Sequence, residues 1–428
     1  MKTRYVFLLL MGPVALASGP LRAETPVSSN DNWPAWRGPR GDGLSAATHL
    51  PVRWGPNEGV RWKTPLPGKG VSSPVVWGDR VFLTSSEGNR HDQLHVLCLD
   101  RRDGALVWDR RFWGTAPTRF HGEKSFMATS TPATDGTLVW AFFGTGDLFC
   151  LDFDGRLVWA RSLAQEYEPF QNRFGMGSSP VLAGSTLVLQ CDHWGQSYLL
   201  GVDKQTGENV WKTDRTEELG WSSPLVVDVD GEQQVVVSAT FSVKGYDLTT
   251  GKELWVARGM SRSCIPTAVA NDRTIFAVSG QGGQTMAIRK GGRGDITDSH
   301  VVWTATRGAP YVPSPLLVDG LYYLVEDGGI ATCFDAETGA RVWQKRLGAA
   351  YTASPVAGDG KIYLIDEAGT TTVLRPGREF EVIAKNELEE PVFASPAIAQ
   401  GELFLRTAGQ LVCVNGGGAS ASGVGAGR

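Results

Sequence analysis

Val71-Ser72-Ser73-Pro74-Val75-Val76 is the stretch that sets the architecture of this chain, because variants of it recur along the sequence. Most variants place small residues before a proline and apolar residues after it, and the eight prolines are Pro74, Pro132, Pro180, Pro224, Pro266, Pro315, Pro355 and Pro396. Successive prolines lie 58, 48, 44, 42, 49, 40 and 41 residues apart. A period of about 40 to 50 residues is typical of propellers and other stacked-repeat folds.

One repeat unit contains four short runs of alternating apolar residues, which in the first unit are residues 74–77, 80–84, 95–100 and 105–108. Glycine-containing turns join the first run to the second and the third to the fourth, as expected for antiparallel strands. An isolated fourth strand at 60–65 precedes the first unit, and the last unit stops after a third strand at 410–415. We therefore predict an all-β fold, an eight-bladed β-propeller of four-stranded antiparallel blades over residues 60–415. An N-terminal strand completes the last blade and closes the ring.

The repeated Ser-Pro pairs have an architectural explanation. Eight innermost strands converge on one axis, which favours small side chains, and proline is tolerated at a sheet edge because it has no amide to lose from the ladder. Tryptophans that end the fourth strands are expected to pack between adjacent blades, at Trp62, Trp108, Trp159, Trp211, Trp255, Trp303 and Trp343, with Ile383 in the eighth place. These features fix the repeat register and are not candidates for catalysis.

The two ends of the chain are expected to lie outside the propeller. Residues 1–23 have the pattern of a signal peptide, with Lys2 and Arg4 before an apolar run and Leu21-Arg22-Ala23 as the cleavage site. Residues 24–59 are interpreted as an N-terminal extension that packs on the propeller, where two tryptophans beside prolines cover one edge. Residues 416–428 are rich in glycine and alanine and are expected to be a disordered tail. The predicted product is exported, periplasmic or secreted, without a lipid anchor, since no cysteine precedes Cys98, and without a transmembrane segment.

Composition argues against some classes of partner and of bond. The formal net charge is −4 and no basic stripe is present, which argues against a nucleic-acid surface. Four of the six cysteines share one repeat position (Cys98, Cys150, Cys333 and Cys413), where other units have Gly201, Gly245, Ala287 and Val373. A position that accepts these residues is a small buried slot, so the cysteines are expected to be buried free thiols and not disulfides.

Variable loops on one face of the predicted propeller are the best candidates for function, because binding residues favour such loops on a rigid scaffold. These loops join second to third strands and fourth strands to the next blade. They contain the candidates for binding a ligand or partner, which are Arg119, His121, Lys124, Tyr167, Phe170, Arg173, Asp192, His193, Trp194, Tyr311, Glu326, Asp327, Tyr351, Asp366 and Glu367. The alternative is that these residues only pack the loops or carry solvated charge.

Catalytic signals are weak in comparison. His121, His193 and Asp192 offer metal or acid–base groups, but no spacing links them into a motif. Gly-x-Ser-x-Gly and Cys-x-x-Cys are both absent, and Arg293-Gly294-Asp295 is interpreted as a chance match to an adhesion tripeptide. No catalytic residue and no metal ligand is therefore assigned.

The repeat resembles the pyrroloquinoline-quinone (PQQ) type of β-propeller repeat, as in the run from Ala331 to Trp343 after a Ser-Pro strand. The start Trp33-Pro34-Ala35-Trp36-Arg37-Gly38-Pro39 resembles a set of exported bacterial proteins common in planctomycetes. The chain is similar in size and blade number to BamB, a non-catalytic propeller of the outer-membrane barrel assembly machinery. That resemblance implies a binding or scaffold module of the cell envelope, with a protein or peptide partner, no cofactor and a monomeric propeller.

Quinoprotein alcohol dehydrogenases share the same type of repeat and provide the alternative function. They bind PQQ with Ca²⁺ and oxidise alcohols, with an adjacent Cys-Cys disulfide above the cofactor and a tryptophan below it. No two cysteines are adjacent in this chain. The sequence therefore favours a binding propeller over a PQQ-dependent oxidoreductase acting on alcohols or sugars, and leaves enzymatic activity open.

Overall fold

The computed structural model describes residues 31–116, 124–172, 174–280 and 283–415. The first strand is β1 (Val60–Pro65). Blade 1 consists of β2 (Val75–Trp77), β3 (Arg80–Glu87), β4 (Gln93–Asp100) and β5 (Leu106–Trp113). Blade 2 consists of β6 (Ala133–Thr134), β7 (Leu138–Phe142), β8 (Asp147–Asp152) and β9 (Leu157–Ser162), followed by α1 (Leu163–Glu166). Blade 3 consists of β10 (Val181–Ala183), β11 (Thr186–Cys191), β12 (Tyr198–Asp203) and β13 (Asn209–Asp214).

Blades 4 and 5 are joined by a short excursion. Blade 4 consists of β14 (Leu225–Val229), β15 (Glu232–Ala239), β16 (Ser242–Asp247) and β17 (Glu253–Arg258). Blade 5 begins with β18 (Val269–Ala270), β19 (Thr274–Val278) and β20 (Thr285–Arg289). The chain then forms β21 (Gly294–Asp295) and α2 (Thr297–His300) before β22 (Val301–Ala305) completes the blade. Strand β21 pairs in parallel with β17, so blade 4 has a fifth strand and Arg293-Gly294-Asp295 belongs to this edge.

The remaining blades return to the regular plan. Blade 6 consists of β23 (Leu316–Val318), β24 (Leu321–Val325), β25 (Ile330–Asp335) and β26 (Arg341–Arg346). Blade 7 consists of β27 (Val356–Gly358), β28 (Lys361–Ile365), β29 (Thr370–Arg375) and β30 (Glu381–Glu387). Blade 8 consists of β31 (Ala397–Ala399), β32 (Glu402–Arg406) and β33 (Gln410–Asn415), with β1 as its fourth strand. Strand β1 is antiparallel to β33, which confirms the predicted closure.

Each fourth-strand tryptophan lies across from the small residue of the third strand, which explains the repeated slot. Trp108 is the register partner of Cys98, and Trp211 is the partner of Gly201. A Cβ atom on Gly201 would lie 2.4 Å from Cε2 of Trp211. In blade 7 the residue opposite Val373 is Ala384 and not the predicted Ile383. The prediction was wrong by one position because this blade has no tryptophan from which the register could be counted.

All six cysteines are buried and unpaired, as predicted. Burial raises the pKa of the Cys98 thiol to about 12, which keeps it protonated at neutral pH. A protonated, inaccessible thiol is a poor nucleophile and a poor metal ligand. These cysteines therefore pack as small apolar residues.

The tryptophans also join neighbouring blades, as predicted. Trp62 donates from its indole N–H to the carbonyl of Arg101 at 2.8 Å, and Trp108 donates in the same way to Phe153 at 2.9 Å. The accepting carbonyls lie at the turn between third and fourth strands of the next blade. Gly104 of that turn has φ 75°, and a Cβ atom there would lie 2.5 Å from the Trp62 ring. Glycine is needed both for the turn and for the approach of the ring.

A chain of hydrogen bonds links the innermost strands around the axis. In seven consecutive steps of 2.8 to 3.3 Å, a backbone N–H donates to the hydroxyl of the equivalent residue in the next blade, through Ser73, Thr131, Ser179, Ser223, Thr267, Ser314, Ser354 and Ser395. These eight residues are called the hydroxyl ring below. The repeated serine is therefore kept for its acceptor oxygen as well as its size.

The hydroxyl ring corrects the register of the fifth unit. Seven ring residues precede their proline, but Thr267 follows Pro266. Aligning this unit by its proline therefore displaces it from the other seven. The hydroxyl, and not the proline, occupies the structurally equivalent position in every blade.

Residues 31–59 cross the end of the axial channel at the face of the tight turns. Trp33 exchanges two backbone hydrogen bonds of 2.8 Å with Val76 in blade 1, and its side chain is buried. Trp36 donates from its indole N–H to Oγ1 of Thr267 at 3.0 Å, on the other side of the channel. The fully buried Arg37 donates to the carbonyl of Pro315 in blade 6. Trp33 thus pairs with the inner edge of strand β2, and Trp36 extends across the channel end to blade 5.

Candidate functional site

The axial channel widens into a chamber of about 360 Å³ below the loop-rich face. Trp36 forms its floor, and hydroxyls of the ring form part of its wall. Its aromatic wall consists of Phe174, Trp221, Tyr311 and Phe393. A concave site with aromatic walls and a few polar groups is typical of binding sites.

An ion pair crosses the mouth of the chamber. Nζ of Lys124, from the loop between blades 1 and 2, lies 2.6 Å from Oε1 of Glu367 in blade 7. The same oxygen accepts from the hydroxyl of Thr352 at 2.6 Å. Nζ of Lys124 also lies 5.8 Å from the ring centroid of Phe393, within the range of a cation–π contact. These contacts hold the lysine over the chamber.

Two further carboxylates lie beside the mouth in blade 6. Asp327 accepts from the backbone N–H of Tyr311 at 2.7 Å and of Val312 at 3.4 Å, which fixes the loop before the Ser-Pro strand. Burial raises the pKa of Asp327 above its usual range, although these N–H groups and Lys124 oppose the shift. Burial and the neighbouring Asp327 likewise raise the pKa of Glu326. The structure thus brings together Lys124, Tyr311, Glu326, Asp327 and Glu367 among the predicted residues.

Asp192 lies away from the chamber, in a buried ion pair between blades 3 and 4. Its two carboxylate oxygens accept from Arg215 at 2.8 and 3.0 Å, and both side chains are at most 1% exposed. Arg215 also donates to the hydroxyl of Tyr246 at 2.6 Å. The carboxylate therefore anchors Arg215, which directly follows β13 of blade 3, for its hydrogen bond to Tyr246 of blade 4.

His193 is buried in the adjoining loop. Its Nδ1 accepts from the backbone N–H of Gly195 at 3.1 Å, which places the proton on Nε2. Nε2 of His193 lies 3.9 Å from Oε1 of Glu168. The imidazole ring of His193 also contacts the ring of Phe170, at a centroid distance of 5.2 Å. Burial lowers the pKa of His193, so the neutral imidazole is favoured. This geometry favours loop packing over acid–base chemistry.

The other predicted residues of blades 2 and 3 are also separated from the chamber. Phe170 is buried against Phe142 in the core. The hydroxyl of Tyr167 accepts from Asn209 in the outer strand β13 at 2.8 Å. Trp194 is 52% exposed.

Two predicted residues near blade 7 have structural roles: one packs in the core and the other forms a turn. Tyr351 is 2% exposed and lies in the apolar core with residues of blades 6 and 7. Asp366 accepts from the backbone N–H groups of Ala368 and Thr370 and so forms the turn that carries Glu367. Arg119, His121 and Arg173 lie outside the described residues.

Most residues of the chamber wall were not predicted from the sequence. Trp221 and Phe393 each stand three residues before the repeat proline, one position nearer to it than Tyr311, which stands four residues before Pro315. This position relative to the repeat was the available signal. For Trp36 the sequence contains no such signal, because nothing in residues 31–59 shows that the N-terminal extension reaches the propeller axis.

The described residues do not fit a PQQ and calcium site. Carboxylates are the charged ligands of calcium, and among the described residues no group of three or more His, Cys, Asp or Glu could hold a metal ion. Glu367 is paired with Lys124, and Asp327 is bound to backbone N–H groups. No two cysteines are adjacent, so a disulfide of neighbours above the chamber is excluded.

The repeated blades of this chain match a known protein family. Residues 54–172, 92–345 and 326–416 match the family model of the outer membrane protein assembly factor BamB. The chain belongs to the BamB family. The matches together extend from residue 54 to residue 416 and so include all eight blades.

Two curated relatives carry different names. The outer membrane protein assembly factor BamB of Alkalilimnicola ehrlichii is 26% identical over 165 residues, which are 37% of this chain and 36% of that protein. A polyvinylalcohol dehydrogenase from a Pseudomonas species is 23% identical over 283 residues, 54% of this chain and 41% of that protein. The chain thus aligns with less than half of the length of each relative.

Solved structures of a BamB protein and of an alcohol dehydrogenase share the fold of this chain. BamB from Moraxella catarrhalis has a TM-score of 0.61 at 14% identity, with 82% of this chain and 96% of that chain covered. The quinohemoprotein alcohol dehydrogenase from Comamonas testosteroni has a TM-score of 0.68 at 12% identity, with 91% and 81% covered. At these identities the likeness concerns the fold alone. Function therefore has to be argued from the site.

Proposed function

We propose that this chain is an exported, non-catalytic binding propeller of the cell envelope, which holds a protein or peptide partner at its loop-rich face. The observation that carries the proposal is the chamber mouth. Its aromatic wall is partly accessible, and its charged groups are engaged with one another and with backbone N–H groups. Exposed aromatic residues around a pocket are typical of protein recognition.

The arrangement of polar groups supports binding over catalysis. Lys124 and Glu367 neutralise each other, and His193 is buried elsewhere with Nδ1 already accepting a hydrogen bond. A general base needs a free lone pair within hydrogen-bond reach of the substrate. His193 lies elsewhere in the fold, and the Glu367 carboxylate is already paired with the Lys124 ammonium and with the hydroxyl of Thr352.

Location and assembly belong to the same proposal. The family match supports a periplasmic protein of the outer-membrane region, and neither helix of the described ranges has the length or apolarity to cross a bilayer. The predicted signal peptide would direct export. The closed ring supports a monomeric propeller, because the N-terminal strand fills the last blade from the same chain.

A PQQ-dependent oxidoreductase is the second candidate. It is favoured by the position of Trp36, an aromatic floor beneath a chamber of about 360 Å³, and by the shared fold with a quinohemoprotein alcohol dehydrogenase. The engaged carboxylates and the separated cysteines oppose it. The oxidoreductase is therefore the weaker of the two candidate functions.

Site-specific photocrosslinking in the native envelope tests the proposal. A photoreactive amino acid replaces Phe393 at the mouth, and a matched probe replaces Trp113, which is 67% exposed at the end of β5. We expect a discrete crosslinked product from position 393 that is absent from position 113 and weakened by Trp221→Ala. Identical products from both positions, or an unchanged product in the Trp221→Ala variant, would contradict partner binding at this face.

A further inference from the structure

Lys124 is the chain's own cation seated at the chamber mouth. It reaches from the loop between blades 1 and 2 to Glu367, 243 residues later in blade 7. Its side chain is 46% exposed, while that of Glu367 is 19% exposed. The carboxylate is thus held in the wall, whereas the ammonium comes from the solvent side.

The wall around the ammonium would suit any alkylammonium or guanidinium group. Glu367 accepts from Thr352 at 2.6 Å, which holds its carboxylate in position without Lys124. The Phe393 ring lies 5.8 Å from Nζ and offers a π face. Asp327 lies beside the mouth, where it accepts from the backbone N–H of Tyr311 at 2.7 Å and attracts Lys124 electrostatically. The surroundings of Lys124 therefore combine a fixed carboxylate, an aromatic ring and a second carboxyl group nearby.

We propose that the chamber mouth is a binding site for a basic side chain of the partner, and that Lys124 occupies this site as an internal competitor in the free protein. The inference rests on the proposed function, since it names the chemistry by which the partner is held. A lysine or arginine of the partner displaces Lys124 from Glu367 and stacks against Phe393.

The energetics allow such an exchange. Ion pairs with substantial solvent exposure are weak, on the order of 0 to 1 kcal/mol, so releasing Lys124 to water costs little. A cation over an aromatic ring gains more when it is desolvated, as a side chain inserted by a covering partner would be. Charge complementarity at the mouth thus selects a basic side chain over an acidic one.

Calorimetric titration with small probes tests this inference without the partner. The probes are Nα-acetyl-lysine methylamide and the neutral Nα-acetyl-norleucine methylamide. Lys124→Ala, which removes the competitor, is expected to bind the lysine probe about fivefold more tightly than the wild type. Adding Glu367→Gln to Lys124→Ala is expected to abolish that gain. The norleucine probe should bind all three proteins equally weakly.

Two results would overturn the inference. One is that Lys124→Ala binds the lysine probe no more tightly than the wild type. The other is that it binds both probes equally. Lys124→Met serves as a second variant that keeps the apolar stem, and urea unfolding of each variant confirms that the propeller is intact. Failure here with successful crosslinking from position 393 would reject only the basic side chain, whereas failed crosslinking would reject the binding function itself.

Discussion

At the residue scale, two turn glycines show how one contact fixes a residue: Gly104 lies between β4 and β5 in blade 1, and Gly320 lies between β23 and β24 in blade 6. Gly104 and Gly320 have nearly the same backbone, with φ 75° and 74°. A Cβ atom on Gly104 would lie 2.5 Å from Trp62, whereas one on Gly320 would have no atom within 4 Å. The pair therefore separates the cost of the backbone conformation from the cost of the clash.

We predict that Gly320→Ala lowers the free energy of unfolding by about 1 kcal/mol, the cost of a left-handed backbone for an L residue. Gly104→Ala should lose a further 1 to 3 kcal/mol, roughly, because the Trp62 ring must shift. Urea denaturation followed by tryptophan fluorescence measures both. Equal losses in the two variants would show that the ring contact does not constrain this turn.

Asp192 is expected to stabilise the folded protein through its ion pair with Arg215. Asp192→Asn leaves a buried guanidinium without its carboxylate and should destabilise the fold by about 3 to 5 kcal/mol. The control is Glu381→Gln, which removes a carboxylate 2.8 Å from Arg375 in a pair that is more than half exposed, and which should cost under about 1 kcal/mol. Similar midpoints of thermal unfolding for the two variants would contradict the anchoring role.

His193 predicts a pH dependence of stability. Burial depresses its pKa in the folded state, although Glu168 and Asp192 oppose the shift, so the folded protein binds fewer protons here than the unfolded chain. The stabilisation is present above the unfolded histidine pKa of about 6.5 and is lost as the pH falls below that value. His193→Gln should therefore lose less stability than the wild type between pH 7 and pH 5. Parallel pH profiles of the two unfolding free energies would contradict this role.

At the element scale, the hydroxyl ring joins innermost strands that share few other hydrogen bonds. Thr131 accepts from the N–H of Ser73 in the preceding blade at 2.9 Å and is buried. We predict that Thr131→Ala leaves this N–H unsatisfied and costs about 1 to 3 kcal/mol. Thr131→Ser keeps the acceptor and should retain most of the stability. Equal destabilisation by alanine and serine would assign the effect to the lost methyl group.

The repeat made the elements predictable from the sequence, and its irregularities limited the prediction. Cys98 and Gly201 share a slot that could be recognised because each lies at a fixed distance before a tryptophan. Thr267 could not be placed in the hydroxyl ring, because Pro266 gave the fifth unit a misleading alignment. Strand β21 was not predicted either, since a two-residue strand at an edge has no periodicity to detect.

At the scale of the whole molecule, closure was predictable and the site was only partly so. The phase offset between β1 and β33 is a property of the repeat and can be counted along the chain. The Lys124–Glu367 pair joins residues 243 positions apart, and Trp36 meets Thr267 across 231 positions. Such contacts depend on how irregular loops and the extension cross a closed ring. No repeat register specifies those paths.

A propeller that binds a partner and does not carry out quinone chemistry should not take up the quinone cofactor. This can be measured by titration of the purified protein with PQQ and Ca²⁺, followed by absorbance and by dye-linked oxidation of alcohols and polyvinyl alcohol. We expect no saturable uptake of the cofactor and no alcohol-dependent dye reduction. Stoichiometric uptake with alcohol-dependent reduction of the dye would contradict this expectation.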